Sequence, residues 1–598
     1  MTPHKLWTMP SGLRGEPLVI RLSASALDHD GRQCGDFAAL KARPRVWPSR
    51  REPARYPPWE SFPLGLVMGA LDRVESTGVD VGQAVEQVIA RTRSTVHAGV
   101  RQWVGHACDA YLRAGEWIAE ELEAEGVALV PEQRPRVVQH ESAAELRLLT
   151  AWGRWYASAD GAVREFRRLR MSRAGARDAL SNDVLAFVAA AGLRAEGSVY
   201  RDLPVEVVPD GREPERIRVV EVMLTAGVPP RVLVDAHPGD VRRTYQEKAR
   251  HHVSDIVFGG GKRPGSDCAG CKASSSCEAL RRVPGLLGIQ DTGTHRRTWS
   301  VTTGRQYLVC PAQAHLRELR LPAASWSDGS AAGRGRAVHR WLEAAHARYP
   351  VRACEPGDLP EPDAPELGPA AELMTREEYH EARPFLLAHL ATCPLGGPGA
   401  VTDVEPEPNV AVHDPAADVL VVAQPDLIRK VDGRVVYREQ KTTLVPAPDG
   451  TMEDVIARVP QLALAVRLVA HQVFGGDGGG VVELETLTPS AAEVLSFDVA
   501  DPAVREAARK VLVRMTADWH KDTVFRATPG HWCAACPVAQ WCPDRAPSDP
   551  KAPIVVDGVR IDPRTGEVLA GAAAVSHRAA AVSASLTEPD HGDEPVPF

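Results

Sequence analysis

No stretch of this 598-residue chain comes near the about 18 consecutive apolar residues of a membrane-spanning helix. Its first residues, MTPHKLWTMPSGLRG, also lack the apolar centre of a secretory signal. A cytoplasmic protein with no membrane association is expected. Positive charge is not in excess either: 70 Lys and Arg stand against 78 Asp and Glu, for a formal net charge of −8. Bulk attraction to a polyanion is thereby excluded, so a nucleic acid would have to meet a local basic patch. A phosphate-cradling Walker loop is missing as well, because GGGKRPG around Lys262 has Arg263 where Ser or Thr should follow the lysine. The chain has no visible motor of its own.

What is present is the composition of a soluble globular protein, 44% hydrophobic and 25% charged, at a length suited to two or three domains. The 11 cysteines are the unusual feature. In a reducing compartment a disulfide framework is not expected, so their spacing is read first for metal or cluster ligands. Eight of them form two copies of one plan. Cys34 is followed far downstream by CAGCKASSSC, with Cys268, Cys271 and Cys277, and Cys310 by CAACPVAQWC, with Cys533, Cys536 and Cys542. Both triplets read C-x2-C-x5-C. The recurrence, each time with a lone upstream partner, marks an internal duplication. The spacing by itself leaves zinc and iron–sulfur both open.

The surroundings repeat too. The segment DVLVVAQPDLIRKVDGRVVYREQKTT from Asp418 aligns without a gap on the segment from Leu146 that contains AWGRWYASADGAVREFRRLR. Each half is therefore expected to contain a helical region, an antiparallel meander turned by Asp160-Gly161 or Asp432-Gly433, a further strand and helices, and a closing cysteine knot. Residues 1–282 form the first expected domain and 299–546 the second. The segment 283–298 between them has linker composition, and 547–598 is a mostly disordered Pro- and Ala-rich tail in which VVDGVRIDPRTGEVL can make a short hairpin.

Chemistry concentrates in the second half. GRAVHRWLEAAH puts Gly335 and His339 on an amphipathic helix. The apolar run VLVVAQPDLI ends at Pro425-Asp426, and VVYREQKTT places Glu439 and Lys441 two apart, on one face of the returning strand. Gln461 opens a following helix. An acid on one strand beside Glu-x-Lys on its neighbour supplies carboxylate oxygens for a hard divalent cation and an ammonium group for an attacking water or a phosphate charge.

With these residues the chain resembles the PD-(D/E)xK nucleases of the RecB type, which include the AddB subunit and CRISPR-associated RecB-like nucleases. The likeness covers most of residues 299–545: WSVTTGRQYLVCP with Cys310, the GxxxH of Gly335 and His339, Pro425-Asp426, Glu439-Gln440-Lys441, Gln461, and the last cysteine triplet. It departs at Ala465, where members often carry Tyr. The resemblance implies an α/β protein of two tandem restriction-endonuclease-like domains, each a mixed central sheet flanked by helices. It further implies Mg²⁺ or Mn²⁺ on Asp426, Glu439 and His339, Lys441 serving the water, and Gln461 placing substrate. Cys310, Cys533, Cys536 and Cys542 would carry a [4Fe–4S] cluster, and Cys34, Cys268, Cys271 and Cys277 a second. The implied activity is hydrolysis of DNA phosphodiesters, as an exonuclease on single strands or ends in repair or anti-phage defence, with a separate helicase as a candidate partner. The competing expectation is a non-catalytic DNA-binding or scaffold subunit.

In the first half the alignment sets Arg154 at the place of Asp426, Arg167 at that of Glu439, Leu169 at that of Lys441, and Gly69 at that of the helix histidine. Two guanidinium groups repel a cation, so a degenerate pseudonuclease is expected there. Arginine forks suit phosphate, and KARPRVWPSRREPAR adds Lys41, Arg43, Arg45, Arg50, Arg51 and Arg55 around Trp47. A grip on DNA or on a partner is one expectation, and a solvated loop on a decayed domain kept for its interface is the other.

Overall fold

The computed structural model describes the chain apart from residues 1–6, 29–32, 50–56, 143–144, 172–178, 200–202, 210–211, 226, 291–294, 325–329, 368–369, 398, 445–449, 477, 548–553, 557–558 and 562–598. It is a mixed α/β structure with several sheets flanked by helices. The helices and strands that carry the sites are, in the first half, α1 (Pro63–Thr77), α2 (Ala98–Glu123), β1 (Leu129–Glu132), β2 (Arg154–Ser158), β3 (Val163–Arg170), β4 (Arg216–Met223) and β5 (Arg231–Ala236). In the second half they are α3 (Val301–Val309), α4 (Ser330–His346), α5 (Arg376–His389), β6 (Val401–Pro406), β7 (Val419–Ala423), β8 (Leu427–Val431), β9 (Arg434–Thr442), α6 (Pro460–Ala470), β10 (Gly480–Leu487), β11 (Ala492–Asp498) and α7 (Pro502–Lys521).

Two five-stranded sheets repeat one topology. The order β5-β4-β3-β2-β1 in the first half is matched by β11-β10-β9-β8-β6 in the second. In each, one pair is parallel, β3 with β4 and β9 with β10, and the other three pairs are antiparallel. A parallel pair needs a crossover, and helices supply it in both halves: Ala179–Ala191 before β4, and Met452–Arg458 with α6 before β10. The antiparallel pair β8–β9 needs only a tight turn. Asp432 and Gly433 take it with φ of 49° and 81°, both in the left-handed region where Asp and Gly are tolerated and where the twist suits a two-residue hairpin.

The run read from the sequence as one strand, VLVVAQPDLI, is divided. β7 pairs with Val410–Asp414 and Arg297–Trp299 in a smaller sheet, whereas β8 belongs to the large one. The chain changes sheets at residues 424–426, and that crossing delivers Asp426 to the start of β8. The first half makes the same change between Leu146–Thr150 and β2.

The halves are packed into each other. Leu316, Leu321, Val538 and Trp541 of the second half are buried in a core with Val100, Trp103 and Ala107 of α2. Conversely Leu280, beside Cys268 and Cys277, packs on Ala411 and Leu420 of the second half. The segment expected as a linker is part of this packing. Leu286 and Leu287 are fully buried in the second core, and the Gly285 and Leu287 amides donate to the Asp414 carboxylate at 2.8 and 3.0 Å. The expected tail hairpin is present as Ile554–Val556 against Val559–Ile561, and most of the rest of 547–598 lies outside the described residues. No helix among the described residues is long and apolar enough to cross a membrane.

A free spacer would tolerate truncation of its side chains, but a buried leucine leaves a cavity. Leu287→Ala is expected to lower unfolding stability by about 2–5 kcal/mol, measured as a shift of the urea midpoint of the full chain.

Candidate active site

The register of the second large sheet brings the predicted acids together. Leu427 pairs with Arg438 across β8–β9, which sets Asp426 opposite Glu439. Asp426 Oδ2 accepts the Gln440 backbone N–H at 2.5 Å, so its carboxylate is anchored to the strand that carries Glu439. α4 crosses this end of the sheet and brings His339 Nδ1 to 3.1 Å from Asp426 Oδ1 and 3.2 Å from Glu407 Oε1. Lys441 Nζ donates to Glu439 Oε1 at 2.5 Å. Glu439 also lines a cavity of about 410 Å³ with Ser300, Tyr437 and Gln461, and Gly265 and Ser266 from the first half complete its wall. The buried Oε1 of Gln461 has no hydrogen-bond partner in the structure.

Electrostatics follow from putting these groups out of water. Burial alone would lower the His339 pKa, but the hydrogen-bonded carboxylates of Asp426 and Glu407 push it up to about 10. Burial would raise Asp426, yet His339, Lys441 and the Gln440 amide hold it below the usual carboxylate range. Glu439 moves the other way, pushed up by burial and by the Asp426 charge while Lys441 opposes. Burial likewise disfavours the Lys441 ammonium, and the Glu439 and Asp426 charges overturn that, so its pKa is raised.

The ligand atoms of His339, Glu407 and Asp426 lie within 4.8 Å of one another, close enough for one ion. Two carboxylates and an imidazole suit a hard or borderline divalent cation. Glu439, expected as a ligand with His339 and Asp426, here faces the same region with its carboxylate held by Lys441. Glu407 was not anticipated. It follows β6 with a φ of 47° and donates its N–H to the Asp426 carbonyl at 3.1 Å. It belongs to no motif, and only the pairing of β6 with β8, Pro406 opposite Leu427, brings it to Asp426.

Each cysteine quartet is assembled. Cys34, Cys268, Cys271 and Cys277 line one cavity, and Cys310, Cys533, Cys536 and Cys542 line another. Burial raises the pKa of Cys268, Cys271, Cys536 and Cys542, and their neighbouring thiols add to it in each case.

The first half occupies the same register with opposite charge. Arg154 pairs directly with Arg167 across β2–β3. Both are buried. Arg154 bonds Asp72 at 2.8 Å and also Glu75, both on α1. Arg167 bonds the fully buried Glu165 at 2.7 Å and lies 3.8 Å over the Tyr156 ring. Of the two expectations for these arginines, the ion pairs to Asp72, Glu75 and Glu165 favour the decayed domain kept for its packing over a grip on phosphate. Arg43 is also buried, donating to the Ala39 and Val257 carbonyls, and Arg45 pairs with Glu16. Arg50, Arg51 and Arg55 lie outside the described residues.

Residues 298–543 match the family model described as the PD-(D/E)XK nuclease superfamily, whose members are typically nucleases using divalent metals. No curated protein matches the chain.

Asp72 is largely exposed, so removing Arg154 strands mainly the partly buried Glu75. Arg154→Ala is expected to cost about 1–3 kcal/mol of stability while leaving DNA affinity unchanged across a salt series. A reduced salt slope would instead show that Arg154 contacts phosphate.

Proposed function

We propose that the PD-(D/E)XK nuclease superfamily domain of residues 298–543 hydrolyses DNA phosphodiesters in a metal-dependent reaction, acting as an exonuclease on single strands or open ends. The observation that carries this reading is the meeting of Asp426, Glu407 and His339 ligand atoms within 4.8 Å, with Glu439 and Lys441 across the strand pair. Mg²⁺ or Mn²⁺ would be held by Asp426, Glu407 and His339, with Glu439 as the facing carboxylate. When bound, such a cation polarises a phosphoryl oxygen and acidifies a water. The residues do the rest. His339 Nδ1, between Asp426 and Glu407, would be the imidazole donor to the ion, in its deprotonated form. Lys441 Nζ, held by Glu439 Oε1, is placed to orient the attacking water by hydrogen bonding. Gln440 N–H keeps Asp426 from turning away, and Gln461 Oε1 offers an acceptor to the substrate.

The two halves are proposed as tandem copies, the first degenerate. Its site is closed by its own ion pairs, and its part in the second site is the wall contributed by Gly265 and Ser266. The two cysteine quartets are proposed to hold [4Fe–4S] clusters. Four thiolates on one zinc would crowd to an edge of about 3.8 Å, from bonds of about 2.3 Å. The four thiols of each quartet instead line one cavity, as ligands of a multi-iron core would. With no motor in the sequence, a separate helicase is a candidate partner, in repair or anti-phage defence.

On end-labelled single- and double-stranded DNA with Mg²⁺ or Mn²⁺, Asp426→Asn, Glu439→Gln and Lys441→Ala are each expected to slow cleavage by about 10³-fold or more, about 4 kcal/mol in barrier. EDTA should stop the wild type. A wild-type rate for Lys441→Ala overturns that residue's role, and EDTA-insensitive cleavage overturns the metal. Protein purified without air should be brown and contain iron and sulfide. Colourless protein with stoichiometric zinc in their place would overturn the cluster assignment.

A further inference from the structure

Of the three cysteines outside the quartets, Cys108 is buried in α2, and Cys354 and Cys393 are buried in the helical insertion between α4 and β6. His346 is the last residue of α4, Cys354 lies in the loop after it, His389 ends α5, and Cys393 follows one turn later. All four are buried, with exposures of 2%, 5%, 0% and 8%. Their ligand atoms lie within 4.8 Å of one another, with Cys393 Sγ 4.0 Å from His346 Nε2.

We propose that His346, Cys354, His389 and Cys393 hold a structural zinc ion. Two thiolates and two imidazoles are the closed tetrahedral donor set of that metal, and the edges of such a tetrahedron, about 3.3–3.8 Å, need only a small contraction of the cluster. An independent observation points the same way. His389 Nδ1 is bonded to Glu485 Oε1 at 2.8 Å, which fixes the tautomer, and its Nε2 is buried with no partner. A buried imidazole nitrogen without a hydrogen bond is costly, and metal coordination satisfies it. The carboxylate behind the imidazole is the outer partner that metal-bound histidines use. Cys393 Sγ also accepts the Cys354 N–H at 3.3 Å, a hydrogen bond that stabilises a thiolate.

The fold explains why an ion belongs here. The insertion has a small core of its own, formed by Val338, Trp341, Leu359, Tyr379, Phe385 and Leu386 among others, and small cores of this kind are commonly stapled. The site also touches the strand of the candidate active site. Glu485 Oε2 accepts from Gln440 Nε2 at 2.6 Å, and the Gln440 N–H holds Asp426. His346 lies two turns along α4 from His339, on the same face. The zinc is thus a positioning element behind the sheet, and its existence does not depend on the nuclease reading.

Zinc and iron are measured per chain on the full-length protein, wild type beside Cys393→Ser and His389→Ala. The expected result is the loss of one zinc per chain in each variant with iron unchanged. In the wild type, Cys354 and Cys393 should resist alkylation by iodoacetamide until a chelator removes the metal, an outcome that does not require any variant to fold. Glu485→Gln should weaken zinc binding by about 10–100-fold. Zinc content unchanged by both ligand variants, free alkylation of Cys354 and Cys393 in the native protein, or their recovery as a disulfide would each overturn the proposal.

Discussion

The organising constraint of this molecule is that a charge removed from water must be met by an opposite charge at the same place. Both large sheets bring two ionisable side chains face to face at one register position, next to a helix that crosses the end of the strands. In the second half the strand positions are acids and the helix supplies His339. In the first half they are arginines and the helix supplies Asp72 and Glu75. The backbone arrangement is retained and the sign is inverted. One version leaves a place for a cation from solution, and the other fills that place with guanidinium.

That contrast gives the proposed duplication a physical outcome. With arginine at both strand positions the first half repels a cation there, and its ion pairs hold helix to sheet. Such a domain persists through its packing. The reciprocal burial of Trp541 against α2, and of Leu280 against the second half, makes each cysteine-rich segment a contact between the two halves. Gly265 and Ser266, from the first knot, reach the cavity of the second site.

The far face of the second sheet carries a polar network built from internal ion pairs and hydrogen bonds. Arg438 bonds Glu483 at 2.7 Å, and Gln440 and His389 share Glu485. Because residues alternate faces along β9, Glu439 and Lys441 point to the cavity while Arg438 and Gln440 point to this network. A single strand therefore couples the insertion to the site, and the middle residue of the Glu-x-Lys triplet is the link.

Much of this was legible in the sequence because it is local or repeated. The Asp-Gly turns, the two-residue spacing of Glu439 and Lys441, and the duplicated cysteine plan follow from short-range patterns that any fold must respect. The gapless alignment even set Arg154 and Arg167 on the register positions of Asp426 and Glu439. What the sequence could not reveal depends on pairs far apart along the chain. Glu407 meets Asp426 only through the pairing of β6 with β8, and the division of one apolar run into β7 and β8 is decided by which sheet each part joins. His346, Cys354, His389 and Cys393 are isolated residues until α4 and α5 pack. The arginines of the first half left a phosphate grip and a decayed domain both open, because sequence shows charge but not burial. Tertiary structure alone determined that both arginines are buried and paired with Asp72, Glu75 and Glu165 of their own half.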